Sequence, residues 1–234
     1  MIKKLINQND IIHSELINSY GLEYIFTNKS INRIKTKPQV ENKLKLLENL
    51  KKKIQNIDNC KLKINAKQIV FNDGDSESPI MIIGEGPGEK EDEIGKPFVG
   101  DAGKLLDRML NAINIKRNKI YITNVVNYRP PEDRKPESGE IKKYSHFLRE
   151  HISIIDPKLL ILMGSTATEA LFGSKIKISK ERGNWKEIIL KQKTYLTMVT
   201  FHPAYLLRLP DQKKYSWLDL KIIRKKIDEL NLIL

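Results

Sequence analysis

Apolar and polar positions follow one rule up to about residue 58 and another from residue 80 onwards. In the first stretch Val40, Leu44, Leu47, Ile54 and Ile57 recur at intervals that bring them to one face of a helix. The pattern is shorter than the roughly three or four heptads of a coiled coil, so it predicts a helix packed on the main domain. Pro38 marks its start, and a loop around 29–37 separates it from an earlier helix over 10–20.

From Ile80 short apolar runs alternate with helical patterns. Residues 80–83 (IMII) read as a strand stopped by Gly84-Glu85-Gly86-Pro87-Gly88, and Ala102, Leu105, Leu106, Met109, Leu110 and Ile113 then share a helical face. Residues 120–126 (IYITNVV), 159–163 (LLILM) and 195–199 are three further strands, with helices over 140–154, 165–171 and 216–230. This order predicts an α/β fold: three layers, α/β/α, around a central, mostly parallel four-stranded sheet, with helices at the N-terminus. Residues 1–60 form the helical extension and 61–234 the α/β domain. Ligands of such sheets bind beyond the carboxyl ends of the strands, where the 84–88 loop, Asn124 and His202 all fall.

Composition narrows the partner. Among 234 residues, 42 Lys and Arg against 29 Asp and Glu give a net charge of +13, a field that draws polyanions. Nucleic acid is the first partner to test and an anionic membrane surface the second; a coding bias toward lysine would leave only a well-hydrated surface. No run approaches the roughly 18 to 20 apolar residues that cross a bilayer, so the expected location is the cytoplasm. The single cysteine, Cys60, excludes an internal disulfide and any centre built from several thiolates of this chain.

Several loops carry candidate chemistry. The glycines of the 84–88 loop allow close approach of backbone to a ligand, but no Gly-Lys-Ser/Thr follows, so it is not a nucleotide phosphate loop; a plain tight turn is the alternative. Phe98, between Pro97 and Gly100, either stacks on a flat base or anchors its loop in the core. Among the dense acids Glu89, Glu91, Asp92 and Glu93, most are solvated and one can sit beside a reacting carbon. Asn124 offers a donor and an acceptor suited to the edge of a base, or caps a strand end. Arg129, Arg134 and Lys135 lie in a proline-stiffened loop suited to phosphate contact. His202 can donate to a carbonyl oxygen that gains charge, and no second His or Cys stands at a zinc-ligand spacing from it, so no metal site is expected. Leu206, Leu207 and Arg208 combine apolar and basic side chains as a base-stack wedge does.

Taken in order, GEGPG, GKPFVG-DAG, TNVV-RPP, PKLLILMG, RG, FHPAYLLR and W-DL resemble the iron-sulphur uracil-DNA glycosylases over about 140 residues. The resemblance implies a monofunctional hydrolase of base excision repair that cleaves the N-glycosidic bond of uracil in DNA. It makes Phe98 the ring stacking on a flipped uracil, Asn124 the reader of its edge, His202 the donor to its O2 and Glu91 the acid that places water or steadies the cationic sugar. Glu85 and Gly86 then shape the pocket, and Leu206, Leu207 and Arg208 enter the duplex. No lysine takes the place of a Schiff-base nucleophile. The family's four cluster cysteines fall on Cys60, Lys63, Tyr128 and Tyr144, so no iron-sulphur cofactor is expected, and the two tyrosines are expected to fill the space. The expected partner is uracil-containing DNA, with no membrane, and the expected state is a monomer. Two alternatives remain open: another deaminated base such as hypoxanthine or xanthine, or a nucleic-acid-binding module that kept the fold without catalysis.

Overall fold

The computed structural model describes residues 43–234; the helix expected over 10–20 and the loop around 29–37 lie outside the described residues. The chain begins with α1 (Lys43–Gln55) and α2 (Lys61–Asn65), then β1 (Asp73–Gly74), β2 (Ile80–Gly84), α3 (Glu89–Ile94), α4 (Asp101–Asn111) and β3 (Tyr121–Asn124). It continues with α5 (Ser138–Ile155), β4 (Leu159–Met163), α6 (Ser165–Phe172), α7 (Ile178–Glu181), β5 (Trp185–Leu190), β6 (Lys193–Thr200), α8 (Pro203–Arg208) and α9 (Lys213–Glu229).

The sheet has six strands in the order β1-β3-β2-β4-β6-β5. Its centre is the expected parallel set: β2 pairs with β3 and β4, and β4 with β6, all parallel. Both edges correct the four-stranded expectation. β1 runs antiparallel to β3 and β5 antiparallel to β6, so the sheet is mixed. β1 has two residues and no hydrophobic signal. β5 buries Ile188 and Leu190 while Glu187 and Ile189 face outwards. The β5–β6 hairpin turns through Lys191 and Gln192, both at positive φ (47° and 66°), which the Asn-Gly and Gly pairs of tight hairpins ordinarily supply.

Every residue of β2 and β4 is buried because both faces of the sheet are covered. Alternation along the strands divides the core: Met81, Ile83, Leu160 and Leu162 join the cluster under α1, α2, α5 and α6, whereas Ile80, Ile82, Leu159 and Ile161 join the one under α4, α8 and α9. Each such side chain contributes about 1.5–3 kcal/mol by leaving water. Helix α1 buries Leu47, Leu50 and Ile54 and belongs to the compact unit Val40–Leu234. In α5, His151 is buried, stacks on Phe71 at 4.7 Å and has its Nε2 2.6 Å from the Tyr121 hydroxyl. Burial lowers its pKa to about 3. No helix among the described residues is long and apolar enough to cross a membrane.

Candidate active site

The chain moves from β2 to β3 on one side and then to β4 on the other, which opens a crevice at their carboxyl ends. A cleft of ≈ 510 Å³ lies there, walled by Glu85, Gly86, Gly88 and Glu91 after β2, Gly164 and Ser165 after β4, and Phe201, His202, Tyr205 and Arg208 after β6; Pro130, Asp133 and Arg134 close its rim.

The cleft-facing acids are fixed rather than free. Glu91 is 9% exposed and accepts the backbone N–H of Gly88 (3.2 Å), Val99 (2.8 Å) and Gly100 (2.7 Å), tying the loop after β2 to the start of α4. Its neighbour Asp92, fully inside, accepts the N–H groups of Lys67 and Gln68, while Glu89 and Glu93 are exposed. The acid cluster thus divides into two held and two solvated carboxylates. Glu85 takes the Thr166 hydroxyl on one carboxylate oxygen. A Cβ at Gly86 would meet Val126 at 2.7 Å, so the loop presses on β3's continuation.

His202 caps α8: its Nδ1 accepts the Ala204 N–H at 3.2 Å, which leaves the proton of the neutral ring on Nε2. Enclosure of the ring, then the nearby Arg208 charge, lower its pKa to about 4, so it is a neutral donor at physiological pH. Phe98 stacks on it with ring centres 5.4 Å apart. Phe98 itself is buried and has φ +55°, a conformation that costs a bulky residue about 1–3 kcal/mol. Arg117 braces it, donating to the carbonyl oxygens of Phe98 (2.9 Å) and Pro97 (2.6 Å) while paired with Asp73 and Asp107. Asn124 is 3% exposed, and its Oδ1 is buried without a hydrogen-bond partner among the described residues. The Asn124 amide and the Phe98 ring both press on Gly84, where a Cβ would meet them at 2.4 and 2.5 Å.

The structure therefore gathers Glu85, Gly86, Glu91 and His202 on the cleft wall, with Phe98 and Asn124 buried directly behind it at the end of β2. The basic loop is arranged differently. Arg129 pairs with Asp133 (2.8 Å) and Arg134 forks onto Glu140 (2.9 and 2.7 Å), whereas Lys135 and Arg208 have no carboxylate partner among the described residues. Leu206 turns into the core at 1% exposure; Leu207, at 40%, and Leu209, at 49%, face outwards beside Arg208. Arg117, Thr166 and Leu209 were not singled out by sequence. Only Leu209 carried a signal, as an apolar residue continuing the loop.

The uracil DNA glycosylase superfamily model matches residues 71–224. A type-4 uracil-DNA glycosylase of Thermotoga maritima is 40% identical over 164 residues, covering 70% of this chain and 84% of the relative. The chain belongs to the type-4 uracil-DNA glycosylase family. The enzyme of that name from Sulfurisphaera tokodaii is 39% identical over 188 residues (76% and 84% of the two chains), and that from Saccharolobus solfataricus 38% over 179 (74% and 83%). Membership makes this a glycosylase-type hydrolase and accounts for the motif order along the cleft.

The positions that resemble the family's cluster ligands do not fit a four-iron cluster here. Cys60 is the one thiol, and its Sγ lies 3.3 Å from the Tyr144 hydroxyl. Tyr144 (1% exposed) and Tyr128 (6%) are built into the same core as Leu50 and Ile54 of α1, and the Lys63 ammonium donates to the Gln55 carbonyl. Burial, reinforced by Cys60, pushes the Tyr144 hydroxyl far above its ordinary pKa, so it stays a neutral phenol. Among the described residues no group of three or more His, Cys, Asp or Glu could hold a metal ion.

Proposed function

We propose that the protein is a monofunctional uracil-DNA glycosylase that hydrolyses the N-glycosidic bond of deoxyuridine in DNA, working as a monomer in the cytoplasm and without an iron-sulphur cluster. The observation that carries this reading is the orphaned Oδ1 of Asn124 beside the Phe98 ring. A buried acceptor left unpaired costs about 1–3 kcal/mol, and a uracil N3–H would satisfy it. Residues 61–234 then form the glycosylase domain, with 1–60 as its helical extension.

As the bond to the sugar breaks, the base leaves as an anion and the sugar becomes cationic. His202 Nε2–H, neutral and aimed by its cap bond, donates to the uracil O2 as charge builds there. Glu91, held by three N–H groups, is a fixed negative charge for the sugar and for the attacking water, and Glu85 shapes the pocket around them. Leu207 enters the stack in place of the flipped base, and Arg208 and Lys135 hold flanking phosphates.

The test is release of uracil from a labelled oligonucleotide, single-stranded and opposite G or A. Asn124→Ala and His202→Ala are each expected to lose at least about 10²-fold in single-turnover rate while DNA affinity holds. A wild-type protein that binds these oligonucleotides and releases nothing overturns the reading.

A further inference from the structure

A buried ion pair lies outside the cleft, on the far side of the strand end that carries His202. Asp219 in α9 is fully buried, and its carboxylate is met by two groups. Thr200, the last residue of β6, donates its hydroxyl to Oδ2 at 2.6 Å. Arg182, following α7, donates Nε to the same oxygen at 3.1 Å and a terminal nitrogen to Oδ1, and also donates to the Tyr215 carbonyl. The guanidinium lies over the Phe201 ring, 5.5 Å from its centre. Gly183 makes the close approach possible: its N–H donates to the Val199 carbonyl at 3.1 Å, and a Cβ there would meet Asp219 Oδ1 at 2.7 Å.

None of these charges lines the cleft, yet a buried acid is costly to keep; this one holds Thr200, and its arginine covers Phe201, the two residues ahead of His202. On the other side, Gly164 donates to the Thr200 carbonyl at 3.0 Å and packs against the His202 Cβ. The chain leaving β6 is therefore fixed from both sides within two residues of the imidazole. We propose that Asp219 and Arg182 are positioning residues for the reaction, acting through Thr200 and Phe201 to set where His202 presents its Nε2–H. This rests on the uracil-excision reading above. A displacement of about 1 Å in such a donor costs up to roughly 10²-fold in rate.

Thr200→Val keeps the shape of the side chain and removes the hydroxyl; Thr200→Ser restores it. We expect Thr200→Val to lower the single-turnover excision rate at least about tenfold at unchanged DNA affinity, and Thr200→Ser to recover most of it. In a His202→Ala background the valine should cost less than about twofold more, because the donor it misplaces is gone. An unchanged rate in Thr200→Val, or the same fold-loss with and without His202, overturns the proposal. A second measurement needs no activity: in histidine-selective nitrogen-15 spectra Thr200→Val should move the His202 ring signals and leave those of His151 in place. Unmoved His202 signals overturn the proposal even in a protein that excises no uracil, whereas moved signals without excision uphold it and count against the uracil reading alone.

Discussion

Gly103, in the first turn of α4, is the sharpest place to test whether the backbone of Phe98 is part of the machinery. In a free helix Gly→Ala is worth about 1 kcal/mol of added stability. Here a Cβ would stand 1.9 Å from the Phe98 carbonyl oxygen and 2.1 Å from its carbon, against the 3.0 Å below which real Cβ contacts are essentially not found. The Phe98 peptide would have to retreat by at least 1.1 Å, the difference of those two distances. That peptide is already in the left-handed region and held by Arg117, so it has little room to yield. Overpacking of this kind costs about 1–3 kcal/mol, enough to cancel or reverse the helix gain. A shift of about 1 Å in the stacking ring should also lower excision by up to about 10²-fold. The assay pairs urea unfolding with single-turnover release of uracil on Gly103→Ala. A variant about 1 kcal/mol more stable with wild-type rate would refute the reasoning, since helix propensity alone would then govern the position.

Other outcomes can be checked on the same preparations. His151 has a folded pKa lowered to about 3 against 6.5 in the unfolded chain, so the unfolded state takes up the proton first; its share of stability is complete above pH 6.5 and drains away as pH falls toward 3. Between pH 7 and pH 5 this amounts to about 2 kcal/mol, which should be missing from the stability loss of His151→Gln measured by urea titration; parallel losses would count against it. Treatment with an iron chelator should leave the melting temperature unchanged, whereas Tyr144→Ala, emptying a core position, should cost about 3–5 kcal/mol; a melt that falls with chelation would contradict this. Arg117→Lys loses the fork that spans the Pro97 and Phe98 carbonyls, and excision should drop about tenfold with little change in DNA affinity; equal rates would show that the brace is dispensable.

The centre of the sheet was legible because β2, β3, β4 and β6 contain runs apolar enough to be covered on both faces. The edges were not. Two residues of β1 give no pattern, and the turn at Lys191–Gln192 adopts left-handed geometry without the residues that announce it. At the site, Phe98, Asn124 and His202 could be singled out as candidates because Asn124 ends β3, His202 follows β6 and Phe98 stands in the Pro-Phe-Val-Gly loop before α4. What holds them could not. Arg117 sits in a lysine-rich stretch that reads as hydrated surface, and its bonds to Pro97 and Phe98 span about 20 residues. The pairing of Arg129 with Asp133 and Arg134 with Glu140 lay within reach of spacing alone, four and six residues apart, yet a count of basic residues passed over it.

Those two pairs bear on how binding to a duplex would depend on salt under the proposed function. With Arg129 and Arg134 already paired, the mouth of the cleft offers few free cations among the described residues to displace the counterions condensed on a duplex. For two phosphate contacts, raising salt from about 50 to 200 mM weakens binding roughly tenfold; for four it would be about 150-fold. The net charge of +13 still creates a field that draws a polyanion, whatever those two pairs do at the cleft. Under the proposed function, a protein built this way would let go of an ordinary duplex easily, and its residence at a nucleotide would be decided by what the pocket finds there rather than by the backbone it rides on.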